Sequence, residues 1–196
     1  MKKALIFFVL MALASVFICA SEILDQAQTA INYSYWFDST IIHWQDFAPR
    51  LGNITSVALY INAVGSAGNV IVEIRTTSGV SLAQATIPEA ELTGSAWHKV
   101  TLPWPVDCVP GEKMRIYVSA DAASPGPSNR YFWRGNNNSP YNPACDNSVS
   151  GGNPDYDFAF KSYGLNCTNR NIAYIYSSDS TTANAFKAFL DAQGYP

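Results

Sequence analysis

Charged residues are scarce in this sequence, and basic residues show no excess over acidic ones. Lys and Arg together number 12 against 15 Asp and Glu, charged residues make up 14% of the chain, and the formal net charge is −3. A protein that binds nucleic acid or an anionic membrane by charge is expected to be rich in basic residues. The composition therefore favours neither partner. The low charge, beside 13% aromatic residues, also argues against disorder.

Histidine and the short motifs of several enzyme classes are lacking as well. The two histidines, His43 and His98, are too few for a three-histidine zinc site. The chain has no G-x-S-x-G elbow, no G-x-G-x-x-G turn and no phosphate-binding P-loop. The order of Ser, His and Asp residues leaves a triad open, and no two glutamates stand at a spacing that marks a glycosidase. The sequence thus predicts no catalytic residues and a protein that is not an enzyme.

Cysteine is rare, with four residues in the whole chain. Cys108 alternates with Val106 and is predicted to be a small buried residue. Cys145 and Cys167 lie in polar stretches and form the better pair for a disulfide, because the chain is expected to reach an oxidising compartment. No C-x-x-C or Cys/His spacing is present, so no zinc or redox site is predicted.

The first twenty residues predict export. Lys2 and Lys3 precede an apolar run that ends at Ala20, and polar chain begins at Ser21. This is the order of a secretory signal peptide, here 1–20, and the run is short for a membrane span. The expected location is extracellular or periplasmic, with no membrane contact after cleavage. An uncleaved anchor is the alternative.

Apolar residues recur at every second position through the middle of the chain, which is the signature of half-buried strands. Val57, Leu59 and Ile61 share one face, for example. Strands are predicted at 55–62, 69–75, 113–119 and 155–161, with weaker ones at 81–86, 98–102 and 130–134 and two opening ones at 31–37 and 41–47. Short turns join them, as at Pro110-Gly111, so the sheets should be antiparallel. The fold class predicted for 22–164 is an all-β antiparallel sandwich, jelly-roll-like.

The end of the chain changes character. Residues 165–170 form a predicted linker, and 172–176 form a predicted strand. A helix is expected from about 182 to 192, with Gly194 ending it. One strand–helix unit cannot bury its own apolar faces, so 171–196 is predicted to begin an α/β domain of a longer protein. A downstream domain of the same chain is therefore an expected partner. The alternative is that the tail packs on the sandwich.

Seven segments carry a resemblance to a known kind of module. They are QDFAP at 45–49, ITSVALYI at 54–61, GNVIVEIR at 68–75, WHKVTL at 97–102, PGE at 110–112, RYFW at 130–133 and YDFAFK at 156–161. Together they resemble secreted bacterial β-sandwich modules of the carbohydrate-binding or cell-surface type, over roughly 22–164. The resemblance implies a polysaccharide or cell-surface glycan as ligand. The tail from Asn171 is similar to the start of a flavodoxin-like or glutamine-amidotransferase-like domain.

Sugar binding requires aromatic rings that stack on a pyranose and polar side chains that meet its hydroxyls. The most suggestive cluster lies where a predicted strand runs into an Asn-rich loop. The predicted ligand-binding residues are Tyr131, Trp133, Arg134, Asn136 and Tyr141. Trp36, Trp44, Asn137 and Asp146 are further candidates. The alternative is that the rings belong to the core, where most large aromatic side chains lie.

Two other groups of residues leave alternatives open. Tyr60, Arg75, Arg115 and Tyr117 alternate away from the main core face, so they form either a binding platform or a second half-buried surface. No cofactor is predicted, although Asp155 and Asp157, with Asp38, Asp107 or Asp146, could supply oxygen ligands to a structural calcium ion. Solvated surface carboxylates are the alternative.

The function predicted from the sequence is that of a secreted, non-catalytic β-sandwich module that binds carbohydrate or another surface polymer. One alternative is a structural spacer or adhesion domain without a small ligand. The other is the N-terminal accessory part of a longer secreted enzyme.

Overall fold

Regular structure in the described residues consists of eleven β-strands and one short 3₁₀ helix. The computed structural model describes residues 21–122, 125–138, 141–142, 144–149 and 156–166. The strands are β1 (Glu22–Gln28), β2 (Tyr33–Phe37), β3 (His43–Phe47), β4 (Asn53–Val64), β5 (Val70–Thr76), β6 (Ser81–Ile87), β7 (Ser95–Asp107), β8 (Met114–Ala120), β9 (Arg130–Asn136), β10 (Asp157–Phe158) and β11 (Phe160–Leu165). The 3₁₀ helix, Glu89–Glu91, lies between β6 and β7. No helix in this part of the chain is long and apolar enough to cross a membrane.

Several predicted segments lie outside the described residues. They are the leader at 1–20, the strand–helix unit at 171–196 and the linker residues 167–170. β1 begins at Glu22, the first residue of the predicted sandwich, and β11 ends at Leu165, one residue past its predicted end and inside the predicted linker.

Two antiparallel sheets make up the fold. The seven-stranded sheet has the order β1-β11-β4-β9-β10, with β2 paired to β9 and β7 paired to β4. The four-stranded sheet has the order β3-β8-β5-β6. Their inner faces pack together, and the alternating residues meet there: Val57, Leu59 and Ile61 from one sheet and Val72 and Ile116 from the other are fully buried. The prediction of an all-β antiparallel two-sheet sandwich is confirmed.

The long strand β4 changes its partner part-way along, which lets the larger sheet fork. Its residues 56–59 pair with β11, whereas 61–64 pair with β9. Ala159 stands at the fork, where its carbonyl accepts from the Tyr60 amide at 3.4 Å and its amide donates to Arg134 O at 2.8 Å. On the two sides of the fork, β11 pairs with β4 and β10 pairs with β9, and the aromatic residues that they carry, Phe160 and Phe158, are buried in the core.

The first strand is not predicted by the sequence pattern, and the reason is chemical. β1 faces the interior with Gln26 and Gln28 rather than with apolar residues, and these are 8% and 6% exposed. Each amide makes a hydrogen bond instead, since Gln28 Nε2 donates to Asp157 O at 3.0 Å and Gln26 Oε1 accepts from Tyr141 Oη at 2.6 Å, although Gln26 Nε2 is buried without an acceptor among the described residues. A period-two search for apolar residues cannot detect a strand whose inward side chains are amides.

Candidate functional site

Two of the predicted ligand-binding rings belong to the hydrophobic core. Tyr131 and Trp133 on β9 are 0% exposed. Trp133 stacks on Phe158 with ring centroids 4.2 Å apart, and its indole N–H donates to Ala159 O at 2.9 Å. The Tyr131 hydroxyl donates to Gly68 O, and burial raises the pKa of Tyr131 to about 12. Neither ring presents a face to solvent, so this structure gives no support to the prediction that the two rings stack on sugar.

The other three predicted residues do not share a surface. Arg134 lies on the opposite face of β9 from Trp133 and is half-buried. Asn136 is buried and its Oδ1 accepts the Asn138 amide at 2.9 Å, so it shapes the start of the loop. Tyr141 is half-buried, and burial raises its pKa to about 12. The predicted cluster is thus divided: Tyr131 and Trp133 lie in the core, Arg134 lies on the outer sheet face, Asn136 ends β9, and Tyr141 belongs to the loop that follows.

Tyr141 belongs to a buried polar network that attaches the long loop to the sandwich. Its backbone amide donates to Asp157 Oδ2, while Gln45 Nε2 donates to Asp157 Oδ1 at 2.9 Å. Gln45 Oε1 in turn accepts the Phe158 amide at 2.9 Å. Gln45 is 0% and Asp157 2% exposed. Burial raises the pKa of Asp157, although the hydrogen bonds from Tyr141 and Gln45 oppose that rise.

A serine and a histidine also meet at this end of the sandwich. His43 Nδ1 lies 2.8 Å from Ser148 Oγ, and His43 Nε2 lies 3.0 Å from Trp36 O. A carbonyl only accepts, so Nε2 carries the proton and Nδ1 accepts from the serine hydroxyl. The imidazole thus bonds a backbone carbonyl where a triad would have a carboxylate. Burial lowers the pKa of His43 and favours its neutral form.

Three tyrosines close the same end of the core. Tyr33 is 48% exposed and packs at 5.3 Å from Tyr35, which meets Tyr156 edge-on at 4.8 Å. The Tyr156 hydroxyl rests on Gly135, where an added Cβ would come within 2.7 Å of it. Gly135 therefore has no room for a side chain, and Tyr33 is the ring of this group that reaches solvent.

The outer face of the four-stranded sheet carries two rings beneath ion-paired arginines. Arg115 lies 3.5 Å above Trp44 and is paired with Asp46 at 2.7 Å. Arg75 lies 3.7 Å above Tyr117 and is paired with Glu73 at 2.7 Å. Burial alone would raise the pKa of Glu73, but hydrogen bonds from Arg75 and Ser81 outweigh it and the pKa falls. Each ring is thus covered, and each of these arginine charges is balanced.

The outer face of the seven-stranded sheet carries the larger aromatic group. Strand register places Trp97 opposite Tyr60 and places Trp36 opposite Phe132, with Asn62 on the other side of Phe132. All are half-buried side chains on the side of the sheet that points away from the core. Tyr163 on β11 shares this side. We call these five rings the outer aromatic face: Trp36, Tyr60, Trp97, Phe132 and Tyr163.

The sequence holds part of the signal for this face. Tyr60 alternates away from the core, and the same rule applied to β9 puts Phe132 outward once Trp133 is assigned inward. What the alternation cannot supply is the strand order β7-β4-β9-β2, which brings rings from distant parts of the sequence side by side. That order depends on long-range pairing.

Metal ligation finds little support among the described residues. No group of three or more His, Cys, Asp or Glu is placed there to hold an ion. Of the predicted calcium ligands, Asp157 is engaged as above, and Asp38 Oδ1 accepts from Thr40 N at 2.7 Å and Ile41 N at 2.9 Å. Asp155 lies outside the described residues.

The described cysteines carry free thiols. Cys108 packs against the core, as predicted, but it is half-buried rather than buried, and its thiol donates to Leu51 O at 3.2 Å. Cys145 is also free, which does not support the predicted pair with Cys167, a residue outside the described ranges. Burial raises the pKa of both Cys108 and Cys145 to about 11, so both thiols are protonated at neutral pH.

Comparison with known proteins finds no matching family model and no matching curated protein. Among solved structures, the chain is similar to a carbohydrate-binding module, CBM36, in complex with calcium and xylotriose. The sequence identity is 11% and the TM-score is 0.31, and the match covers 74% of this chain and 100% of that chain. The likeness is a distant one.

Proposed function

We propose that this protein is an exported, non-catalytic β-sandwich module, of jelly-roll type, that binds carbohydrate on its outer aromatic face. The observation that carries the proposal is the position of five half-buried aromatic side chains on the outer side of the seven-stranded sheet rather than in the core. Contiguous apolar patches are uncommon on the surfaces of soluble domains, and where they occur they mark interaction sites.

The arrangement of these rings suits an extended ligand. Trp97, Tyr60, Phe132 and Trp36 lie on four adjacent strands, β7, β4, β9 and β2. At roughly 4.8 Å per strand, the rings reach across about 14 Å. Asn62 stands between Tyr60 and Phe132 and offers an amide to a sugar hydroxyl. A chain of several sugars laid across the strands would therefore meet a ring at each end.

Replacing Trp97 or Trp36 with alanine is expected to weaken polysaccharide binding roughly 30-fold, about 2 kcal/mol, because each removes a ring from the contact. The measurement is affinity electrophoresis and pull-down against a panel of soluble and insoluble polysaccharides. Urea denaturation of each variant checks that the sandwich remains folded.

Trp44→Ala is the matched control, since Trp44 is a half-buried ring on the outer face of the opposite sheet. It should leave binding within about twofold of the wild type. If Trp44→Ala weakens binding as much as Trp97→Ala, the ligand lies on the other sheet. If no polysaccharide in the panel is bound, the spacer or adhesion alternative replaces this proposal.

Export belongs to the same proposal. When the full chain is expressed with its own leader in a bacterial host, the mature protein is expected outside the cytoplasm, with its N-terminus close to Ser21. N-terminal sequencing of the exported fraction measures this. Retention in the membrane with Met1 intact would favour the anchor.

A further inference from the structure

The outer aromatic face is also where the basic residues of this acidic protein collect. Eight Lys and Arg residues fall within the described ranges. Four of them project from the outer side of the seven-stranded sheet: Lys99, Arg130, Arg134 and Lys161. The whole chain has a formal net charge of −3, so its overall composition conceals a locally basic surface.

Three of these cations rest on the rings of the face. Lys161 Nζ lies 4.3 Å from the centroid of Trp97, and Lys99 Nζ lies 4.0 Å from that of Tyr163. The Arg130 guanidinium carbon lies 5.0 Å from the centroid of Phe132. Cation–π contacts at exposed sites are weaker than hydrogen bonds from a cation to a carboxylate, so an acidic ligand can draw these groups away from the rings.

Among the described residues, few carboxylates lie near the basic groups on this side of the sheet. Glu22 is ion-paired with Lys99. Asp38 lies near enough to Arg130 to interact with its charge, but its Oδ1 is engaged by Thr40 and Ile41. Within the described residues, Lys161, Arg130 and Arg134 have no ion-pair partner. The Nε atoms of Arg130 and Arg134 are also shielded from solvent without a hydrogen-bond acceptor in that part of the chain.

The opposite sheet shows the contrast. Both arginines on its outer face, Arg75 and Arg115, are held by a carboxylate at 2.7 Å. Charges balanced in this way add no net attraction for an anion. The unbalanced positive charge therefore lies on the same surface as the larger aromatic group. Together the two features suit a ligand that has both sugar rings and negative charge.

We propose that the outer aromatic face binds acidic polysaccharide, a uronate polymer whose carboxylates pair with Arg130 and Arg134 while its sugar rings stack on the aromatic side chains. This rests on the proposed carbohydrate function and names its ligand class. Arg130 and Arg134 lie two residues to either side of Phe132 on β9, about 13 Å apart, so they flank a sugar chain that crosses the strands at that ring, and one sugar cannot reach both. The partner is therefore a polymer rather than a single uronic acid. Nucleic acid fits less well, because four cations on an acidic protein meet only a few phosphates.

The test compares acidic polymers with forms that lack the charge. Polygalacturonate, alginate and hyaluronate are each measured by isothermal titration beside their methyl-esterified forms, with EDTA present so that no bridging cation contributes. The full chain should bind at least one acid polymer about tenfold or more tightly than its ester, and the preference should shrink as NaCl rises from about 0.05 M to about 0.5 M.

The variant Arg130→Gln/Arg134→Gln should abolish the preference for acid polymer over its ester. The control Arg50→Gln/Lys113→Gln removes the same charge from two exposed basic positions outside this face and should keep the preference. Equal binding of all acids and esters overturns the uronate proposal but leaves the carbohydrate function standing. Binding of no polymer overturns both, and tighter binding of single-stranded oligonucleotide than of every acid polymer overturns the uronate assignment.

Discussion

Trp133→Ala is expected to lower the free energy of unfolding by about 3–5 kcal/mol, the range for truncating a buried tryptophan. Trp133 is 0% exposed, stacks on Phe158 and donates its indole N–H to Ala159 O at the fork of the larger sheet. Its removal would leave a cavity and would take a ring neighbour from Phe158 and a hydrogen-bond donor from the Ala159 carbonyl. Urea denaturation followed by tryptophan fluorescence measures the change.

The comparison that gives this result its meaning is Trp97→Ala. Trp97 is half-buried on the outer face, so its truncation should cost stability much less than that of Trp133 while weakening polysaccharide binding more in the folded fraction. If Trp133→Ala keeps wild-type stability but loses sugar binding, the binding site includes the inner side of β9, contrary to the proposal. Trp133→Phe retains most of the side-chain volume, so its free energy of unfolding should lie between those of the wild type and Trp133→Ala.

Gln45→Glu is expected to destabilise the protein by about 3 kcal/mol at neutral pH, although the two side chains have the same shape. The introduced carboxylate would lack the Nε2–H that donates to Asp157 Oδ1, and two buried carboxylates would then lie side by side. An uncompensated buried charge has a cost of this order. Urea denaturation at several pH values measures the effect.

The pH dependence follows from the direction of the Asp157 shift. The pKa of Asp157 is already raised above its ordinary value of 3.8. A second carboxylate beside it would further raise the pKa at which the pair takes up its first proton. The folded variant would therefore bind a proton that the unfolded chain releases. Its destabilisation should be full above the folded pKa and should shrink as the pH falls towards about 4.

A second substitution makes this prediction sharper. In Gln45→Glu/Asp157→Asn the amide and the carboxylate exchange places. The amide introduced at position 157 would donate to the carboxylate introduced at position 45, while its oxygen still accepts the Tyr141 amide. Stability should return by at least half, and the pH dependence should weaken. A double variant no more stable than Gln45→Glu would mean that like-charge repulsion does not cause the loss.

The sequence predicts most strands because alternation records which side chains leave water. β4, β5 and β8 are recognisable in this way, since apolar residues recur on their inward side. β1 is not, because glutamine can be buried when the fold supplies its hydrogen bonds. Those hydrogen-bond partners are more than 100 residues away in the sequence, so no local sequence pattern predicts them.

The candidate site shows the same limit more strongly. The sequence indicates correctly that aromatic residues are plentiful, but it cannot separate core rings from surface rings on β9. Tyr131, Phe132 and Trp133 are consecutive aromatic residues, and one step in the alternation decides which of them face solvent. Only their packing against the opposite sheet settles it: two lie inside and Phe132 lies outside.

By itself, then, the amino-acid sequence determined that this chain folds as an antiparallel β-sandwich, because apolar residues recur at every second position in the strand segments between residues 31 and 161. The tertiary structure decided which surface carries chemistry. Strand order places Trp36, Phe132, Tyr60 and Trp97 beside one another and gathers basic side chains around them, from segments far apart in the chain. Local sequence encodes which way a side chain points, whereas its neighbours depend on long-range pairing between strands.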